Sequence, residues 1–245
     1  MHNVEDDMKN VVCIKWGEKY SAEYVNRLYG MVQRQLSLPH RFVCLTEDST
    51  GIDSVIETLP LIRTDLKHSY TKLQLFLNPL HDIQGQILFL DLDTVILNSI
   101  DDLFLHKPEA KFIGLHEWFD DFLGSSTFRF EAGRFPFILE EWDKSVKERF
   151  TEEHIFDAAT KETNLQYHDL NSFPPEVYRG DQEWITKALR DRGEPIEWYP
   201  DGWLLSYKWH VETGKPFMDS KSITFHGLPK PHEVTDIDWV QENWR

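Results

Sequence analysis

Short apolar runs alternate with a stretch of helical periodicity at the start of the chain. Residues 11–16 and 41–46 are apolar enough to predict buried strands. Between them, residues 21–36 place their apolar side chains on one helical face, and Ser21 is the expected N-cap. A strand, a helix and a strand in this order favour a parallel sheet with right-handed crossovers.

The same patterns predict a mixed α/β protein over the rest of the chain. Further strands are expected at residues 87–90, 111–116, 126–130 and 222–226, and helices at 70–80, 134–150 and 181–192. Residues 151–175 are polar and weakly periodic, which makes them the best candidate for an insert or lid. Since the 245 residues contain no low-complexity linker, we expect a single α/β domain over residues 1–245.

Two aspartates directly follow an apolar strand. Residues 87–90 read Ile-Leu-Phe-Leu, and Asp91-Leu92-Asp93 comes next. Side chains at i and i+2 of an extended chain point the same way, so both carboxylates are expected to project from the end of a buried strand. Two unneutralised carboxylates there would be costly, and a divalent cation would offset the cost. Hard oxygen ligands favour Mg²⁺ or Mn²⁺.

The position of these aspartates predicts a crevice. In parallel sheets, ligands bind beyond the carboxyl ends of the strands. The loops that follow the strands predicted at residues 11–16, 41–46 and 87–90 should therefore lie on one face of the protein. This places residues 17–20, Glu47, Asp48 and the pair Asp91 and Asp93 around one site.

Net charge and cysteine content exclude several classes of protein. The chain has 26 Lys and Arg against 42 Asp and Glu, a net charge of −16, which would repel nucleic acid and anionic membranes. Cys13 and Cys44 lie in apolar runs and are expected to be buried free thiols. Residues 1–10 are polar and acidic, unlike a signal peptide, and no apolar run approaches the ~20 residues of a membrane span. We expect a cytoplasmic protein without a transmembrane segment.

The aspartate pair fits more than one chemistry. It could hold a metal that bridges the protein and the diphosphate of a nucleotide-sugar, or it could be the Asp-x-Asp motif of haloacid-dehalogenase-type phosphatases. It could also cap a turn. The phosphatase motif usually opens its domain, whereas here two strand units precede it. That family also needs a late acidic pair after a strand, and Asp236 and Asp238 follow a proline-rich turn.

A second candidate motif lies after the strand predicted at residues 222–226. His226 could supply a neutral imidazole as a third metal ligand, and Gly227 would let the chain turn sharply. Lys230 lies between two prolines, where its ammonium could neutralise a diphosphate. A buried structural histidine followed by an ordinary proline turn is the alternative.

A third motif opens the helix predicted at residues 181–192. Asp181 is well placed as an N-cap or first-turn acid. At the mouth of a crevice, Asp181 and Gln182 could instead face a sugar and its reacting carbon. Spacing alone does not separate these two interpretations.

Taken in order, the three motifs give the chain a family resemblance. It resembles the GT-A-fold glycosyltransferases, nearest to glycosyltransferase family 8 (the glycogenin- and galactosyltransferase-like enzymes) and their diverged bacterial and viral relatives. The residues that carry the resemblance are Leu88-Phe89-Leu90-Asp91-Leu92-Asp93-Thr94-Val95, Gly180-Asp181-Gln182 and His226-Gly227-Leu228-Pro229-Lys230-Pro231. The chain departs from the family where an Asn-containing strand start is usual: it has Phe122-Leu123-Gly124-Ser125-Ser126.

The resemblance implies a fold and a reaction. The fold would be a single GT-A domain with a mostly parallel central sheet flanked by helices, its nucleotide-binding part at about residues 11–100 and its acceptor-side part at about 101–245. The reaction would be a metal-dependent hexosyl transfer, with retention, from a UDP- or GDP-sugar to a hydroxyl of a glycan, lipid or protein acceptor. A non-catalytic module that binds a nucleotide-sugar is a further alternative.

The resemblance also implies roles for individual residues. Asp91, Asp93 and His226 would hold Mn²⁺ or Mg²⁺ against the donor diphosphate, which Lys230 would also contact. The remaining implied donor-site residues are Trp16 and Gly17 beside the base, Lys72 facing the donor, and Asp181 and Gln182 near the anomeric carbon. Aromatic faces stack well on sugars, and residues 118–122, which begin with Trp118 and Phe119, are the expected acceptor-side loop.

Overall fold

The computed structural model describes residues 8–149 and 180–245. The insert predicted at residues 151–175 lies outside the described residues. The strands of the described ranges are β1 (Lys9–Lys15), β2 (Arg41–Thr46), β3 (Glu57–Leu59), β4 (Gln86–Leu90), β5 (Thr94–Ile96), β6 (Phe112–His116), β7 (Leu123–Glu131), β8 (Glu197–Trp198), β9 (Leu204–Ser206) and β10 (Ser222–Thr224). The α-helices are α1 (Ala22–Gln35), α2 (Asp101–Leu105), α3 (Phe137–Arg149), α4 (Asp181–Asp191) and α5 (Asp238–Asn243). A 3₁₀ helix covers His68–Phe76, and a π-helical turn covers Tyr207–Val211.

Seven strands form the central sheet, in the order β3-β2-β1-β4-β7-β6-β8. The pairs β3–β2, β2–β1, β1–β4 and β6–β8 are parallel, whereas β7 runs antiparallel to both β4 and β6. A small second sheet has the order β5-β10-β9. The mostly parallel α/β sheet flanked by helices is therefore confirmed.

Alternation along the strands divides the core into two layers. In β1, Val11 and Cys13 face one apolar cluster, which includes the buried face of α1, and Val12 faces the other. In β4, Leu88 and Leu90 alternate with Ile87 and Phe89 in the same way. Because the central strands are covered on both sides, their polar ends are the places where chemistry can reach solvent.

Several elements differ from the sequence-based expectation. The helix predicted at residues 70–80 is a 3₁₀ helix that ends at Phe76, before Pro79, and its residues 71–76 are all buried, so that no amphipathic face exists. The strand predicted at 126–130 begins already at Leu123, because pairing of Leu123 and Gly124 with β6 overrides the weak strand preference of Gly124. Ser21 stands at the N-cap of α1, but its side chain makes no capping hydrogen bond.

Arg129 on β7 is a fully buried charge that connects the sheet to α2. Its guanidinium donates to the backbone carbonyls of Leu103 at 3.0 Å, Phe104 at 2.5 Å and Lys107 at 2.7 Å. These bonds fix the segment between β5 and β6 against the sheet.

Replacing this guanidinium tests that role. Arg129→Met is expected to lower the free energy of unfolding by about 3 kcal/mol, because buried carbonyls lose their donor. Urea denaturation would measure the change. Arg134→Met is the control, since the Arg134 side chain is 40% exposed, and it should cost about 0.5 kcal/mol or less. If the two variants lost the same free energy of unfolding, the buried hydrogen bonds of Arg129 would not stabilise the fold.

Both cysteines are buried and free, as predicted. They lie opposite each other on β1 and β2, and burial raises the pKa of the Cys13 thiol well above its usual value. Among the described residues, no helix is long and apolar enough to cross a membrane.

Candidate functional site

The chain turns directly after β4, at the acidic motif. Asp91 follows the last residue of the strand, and β5 begins at Thr94. The N–H of Thr94 donates to the carbonyl of Asp91 at 3.2 Å, which closes a turn, and the N–H of Asp91 donates to the carbonyl of Ser126 at 2.9 Å. The expected extended geometry at Asp91-x-Asp93 is therefore wrong: a turn presents the two carboxylates.

Asp91 pairs with a lysine from the 3₁₀ helix. The ammonium of Lys72 lies 2.9 Å from Asp91 Oδ2 and 3.0 Å from the carbonyl of Ser125. Burial by itself would lower the pKa of Lys72, but Asp181 and Asp91 raise it above its usual value. Lys72 is thus a buried cation at the end of β4, paired with the acidic motif, and its contact with the donor stays a prediction.

Asp93 pairs with a second lysine, from the motif after β10. Lys230 Nζ lies 2.5 Å from Asp93 Oδ2 and 2.7 Å from the carbonyl of Phe225. The hydroxyl of Tyr20 donates to the same Asp93 oxygen at 2.8 Å. Burial, together with Asp93, raises the pKa of the Tyr20 hydroxyl, which therefore remains a proton donor at neutral pH. Two lysines thus neutralise the two aspartates.

Asp181 adds a third carboxylate to this cluster. It is the first residue of α4 and only 2% exposed. Its Oδ2 has no hydrogen-bond partner among the described residues and lies 3.8 Å from Lys72 Nζ. Burial raises the pKa of Asp91 to about 6, and the charges of Asp93 and Asp181 add to the rise, whereas Lys72 opposes it. Three carboxylates therefore face two buried lysines, and the charge of Lys19, on the loop after β1, also interacts with Asp93 and Asp91.

His226 has other partners in this structure. It lies two residues beyond the end of β10, and its Nε2 is 2.5 Å from Ser206 Oγ. Its ring stacks on Trp118 with a centroid separation of 5.6 Å. Burial lowers the pKa of the imidazole, which keeps it neutral at pH 7. In the described residues, no three His, Cys, Asp or Glu side chains are placed to hold one metal ion, so metal binding by Asp91, Asp93 and His226 stays a prediction.

The loops after β1 and β2 meet, as the crevice argument predicts. The N–H of Gly17, which has a φ of +63°, donates to Glu47 Oε1 at 2.5 Å. Trp16 packs edge-on against His68 at 5.4 Å, at the start of the helix that carries Lys72. Trp16 and Gly17 therefore border the same end of the sheet as the lysine–aspartate cluster, which consists of Lys72, Lys230, Asp91, Asp93 and Asp181.

The sequence predicts Gln182 as a site residue but gives no role to Tyr20 or Ser206. Gln182 follows Asp181 in the first turn of α4, and its backbone carbonyl accepts from Thr186 Oγ1 at 2.7 Å. Tyr20 falls within the loop expected at the crevice, although no role could be assigned to it from sequence. Ser206, which holds His226, carries no sequence signal at all. Asp238 opens the helix α5 and does not follow a strand, which disfavours the phosphatase alternative.

The structure resembles solved glycosyltransferases, whereas neither the family models nor the curated proteins match the sequence. The galactosyltransferase LgtC, in complex with donor and acceptor sugar analogues, aligns with a TM-score of 0.59 and 11% identity over 96% of each chain. The chain has the GT-A glycosyltransferase fold. The glycosyltransferase GlyE of Streptococcus pneumoniae aligns with a TM-score of 0.59 and 13% identity over 96% of this chain and 63% of GlyE.

An active-site mutant of LgtC gives a similar alignment, with a TM-score of 0.54 and 12% identity over 95% of this chain and 93% of LgtC. At these identities the likeness establishes the fold, and function must be argued from the site. In this GT-A fold, the lysine–aspartate cluster lies at the carboxyl end of β4, the edge at which open α/β sheets bind ligands.

Proposed function

We propose that this chain is a glycosyltransferase that moves a hexose from a nucleotide-sugar to an acceptor hydroxyl. The observation that carries the proposal is the pair of buried lysines, each held by an aspartate, at the carboxyl end of β4 in a GT-A fold. The proposed donor is a UDP- or GDP-sugar, with its base beside Trp16 and Gly17.

The two ion pairs are suited to receiving a diphosphate. An isolated buried lysine is unfavourable, so each ammonium needs a carboxylate while the site holds no ligand. A diphosphate offers charged oxygens that can replace those carboxylates as acceptors. Lys230 and Lys72 would then hold the donor, and their release from Asp93 and Asp91 would free both carboxylates.

A buried carboxylate oxygen without a hydrogen-bond partner also fits a divalent cation. Three carboxylates face two buried lysines, and the buried Oδ2 of Asp181 has no hydrogen-bond partner among the described residues. Asp91 and Asp93 would hold Mn²⁺ or Mg²⁺, and a bound ion would add positive charge next to the leaving diphosphate. The imidazole of His226 is neutral and chemically suited to join them, but it is bonded to Ser206 here.

The lysines would act on the departure of the nucleoside diphosphate. As the glycosidic bond breaks, negative charge grows on the diphosphate oxygen, and a fixed ammonium stabilises that charge more than it stabilises the intact donor. Before the donor binds, Asp93, which accepts from Tyr20, would orient Lys230, and Asp91 and Asp181 would orient Lys72. Burial of both lysines strengthens the effect, because few water molecules compete for the ammonium groups.

We further propose that the anomeric configuration is retained, with Asp181 and Gln182 beside the reacting carbon. Of the three carboxylates, Asp181 lies on α4, across the cluster from the turn that carries Asp91 and Asp93. Proton magnetic resonance of the product would identify its anomer, and an inverted product would exclude this assignment. A single-domain organisation and a cytoplasmic location stay predictions.

A donor screen tests the proposal directly. The melting temperature of the full chain would be measured with UDP- and GDP-sugars, UDP, GDP and ATP, each with and without Mn²⁺. One nucleotide-sugar at 100 times its dissociation constant should stabilise the protein by about 2.7 kcal/mol. Binding without sugar transfer or donor hydrolysis would favour the non-catalytic module. Phosphate release from small phosphomonoesters, with no effect of any nucleotide-sugar, would favour the phosphatase.

A further inference from the structure

A cavity of about 310 Å³ opens between the loop after β6 and the turn before β9. Its lining includes Glu117, Trp118 and Phe119 from that loop, and Asp201 and His210 from the later segments. The larger cavity of the described structure, about 710 Å³, lies at the amino ends of β1 and β4, away from the lysine–aspartate cluster. The smaller cavity is therefore the one whose position can be related to the proposed reaction.

This smaller cavity adjoins the lysine–aspartate cluster through His226. Trp118 lines the cavity and stacks on the His226 ring. The preceding residue, Phe225, bonds to the cluster with both of its backbone groups: its N–H donates to the carbonyl of Asp93, and its carbonyl accepts from Lys230. One indole thus separates the cavity from the residues proposed to hold the donor.

The cavity has an exposed aromatic rim. Phe119 is 67% exposed, and Trp209, on the π-helical turn, is 38% exposed. The two rings meet edge to face at 5.3 Å. Phe119 lines the cavity, and Trp209 extends its exposed aromatic surface beyond the lining. Flat aromatic faces suit the apolar C–H faces of sugar rings.

The polar side chains that line the cavity include two hydrogen-bond acceptors. The carboxylates of Glu117 and Asp201 line it, opposed by the cation Lys215. Burial raises the pKa of Glu117 and lowers that of His210, so the imidazole adds no positive charge at neutral pH. Carboxylates accept hydrogen bonds from sugar hydroxyls but repel phosphates and carboxylates, and the net charge of −16 acts in the same direction.

We propose that this cavity is the acceptor site and that it takes an uncharged or amino sugar, stacked on Phe119 and Trp209, with hydroxyls hydrogen-bonded to Glu117 and Asp201. This proposal rests on the proposed function, since it supplies the hydroxyl that would receive the hexose. The acceptor oxygen bonds to the donor's anomeric carbon while the bond from that carbon to the diphosphate oxygen breaks, and the leaving nucleoside diphosphate takes up the proton of the acceptor hydroxyl. The carboxylates of Glu117 and Asp201 disfavour anionic acceptors.

Sugar binding can be measured without any donor. Saturation-transfer magnetic resonance and titration of the full chain would use lactose and maltose as neutral probes, glucosamine as a cationic probe and glucuronic acid as an anionic probe. The neutral probes should bind, and Trp209→Ala and Phe119→Ala should each weaken them by about 5- to 10-fold. Glucuronic acid should bind more weakly than glucosamine. The Glu117→Gln substitution should reduce the difference in affinity between these two probes.

Leu105→Ala is the matched control, since Leu105 is 53% exposed and lines the larger cavity instead. It should leave all probe affinities unchanged. Absence of binding by every neutral probe, or equal weakening by Leu105→Ala, would overturn the proposal. The change in melting temperature that nucleotide-sugars cause in the same protein preparations would report binding at the donor site separately. If nucleotides bind and the neutral sugars do not, the acceptor proposal fails alone; if sugars bind and nucleotides do not, the proposed function fails.

Discussion

Asp93→Asn is expected to reduce sugar transfer by at least about 100-fold. The asparagine preserves the shape of the side chain but removes the charge that orients Lys230 and accepts from Tyr20. It also removes a carboxylate that would hold a divalent cation. The measurement is the initial rate of nucleoside diphosphate release at saturating donor, with the melting temperature recorded to confirm that the variant is folded.

Asp102→Asn is the control for this substitution. Asp102 also accepts from a buried lysine, Lys221, at 2.7 Å, but this pair lies at the start of α2, outside the proposed site. Transfer by Asp102→Asn should stay within about twofold of the wild-type rate. A folded Asp93→Asn protein with wild-type turnover would show that the acidic turn takes no part in the reaction.

Lys230→Met is expected to weaken nucleoside diphosphate binding by about 10- to 100-fold, because a charge-assisted hydrogen bond to the diphosphate is lost. Lys230→Arg keeps the charge and should recover part of the affinity. Calorimetric titration with the nucleoside diphosphate selected by the donor screen would measure the dissociation constants.

Lys221→Met provides a closely matched comparison for Lys230→Met. Each lysine side chain is 10% exposed, and each ammonium donates to one aspartate and one backbone carbonyl. The two variants therefore lose similar internal interactions, and only Lys230→Met should lose nucleotide affinity. Equal affinities in the two variants would remove Lys230 from the donor site.

The parallel half of the fold could be predicted from the sequence because each element there carries its own local pattern. The buried face of α1 and the apolar runs of β1 and β2 depend on periodicity alone. The antiparallel β7 could not be bounded in this way. Its first residues, Leu123 and Gly124, are in a strand because β6 pairs with them, and that pairing is a tertiary contact.

The candidate site shows the same limit. The acidic motif and the crevice loops are visible in the sequence, but the groups that neutralise the aspartates are not. Lys72 is 19 residues from Asp91, and Lys230 is 137 residues from Asp93. Chain order carries no information on such distant pairs. The sequence alone therefore predicts neutralisation of the aspartates by a metal ion, whereas in the structure two lysines neutralise them.

The most direct test of the central claim is a crystal structure of the full chain with the selected nucleoside diphosphate and Mn²⁺. We expect the diphosphate at the carboxyl end of β4, within hydrogen-bond distance of Lys230 Nζ, with the base beside Trp16. A nucleotide bound elsewhere, with both the Lys230–Asp93 and Lys72–Asp91 pairs intact, would contradict it.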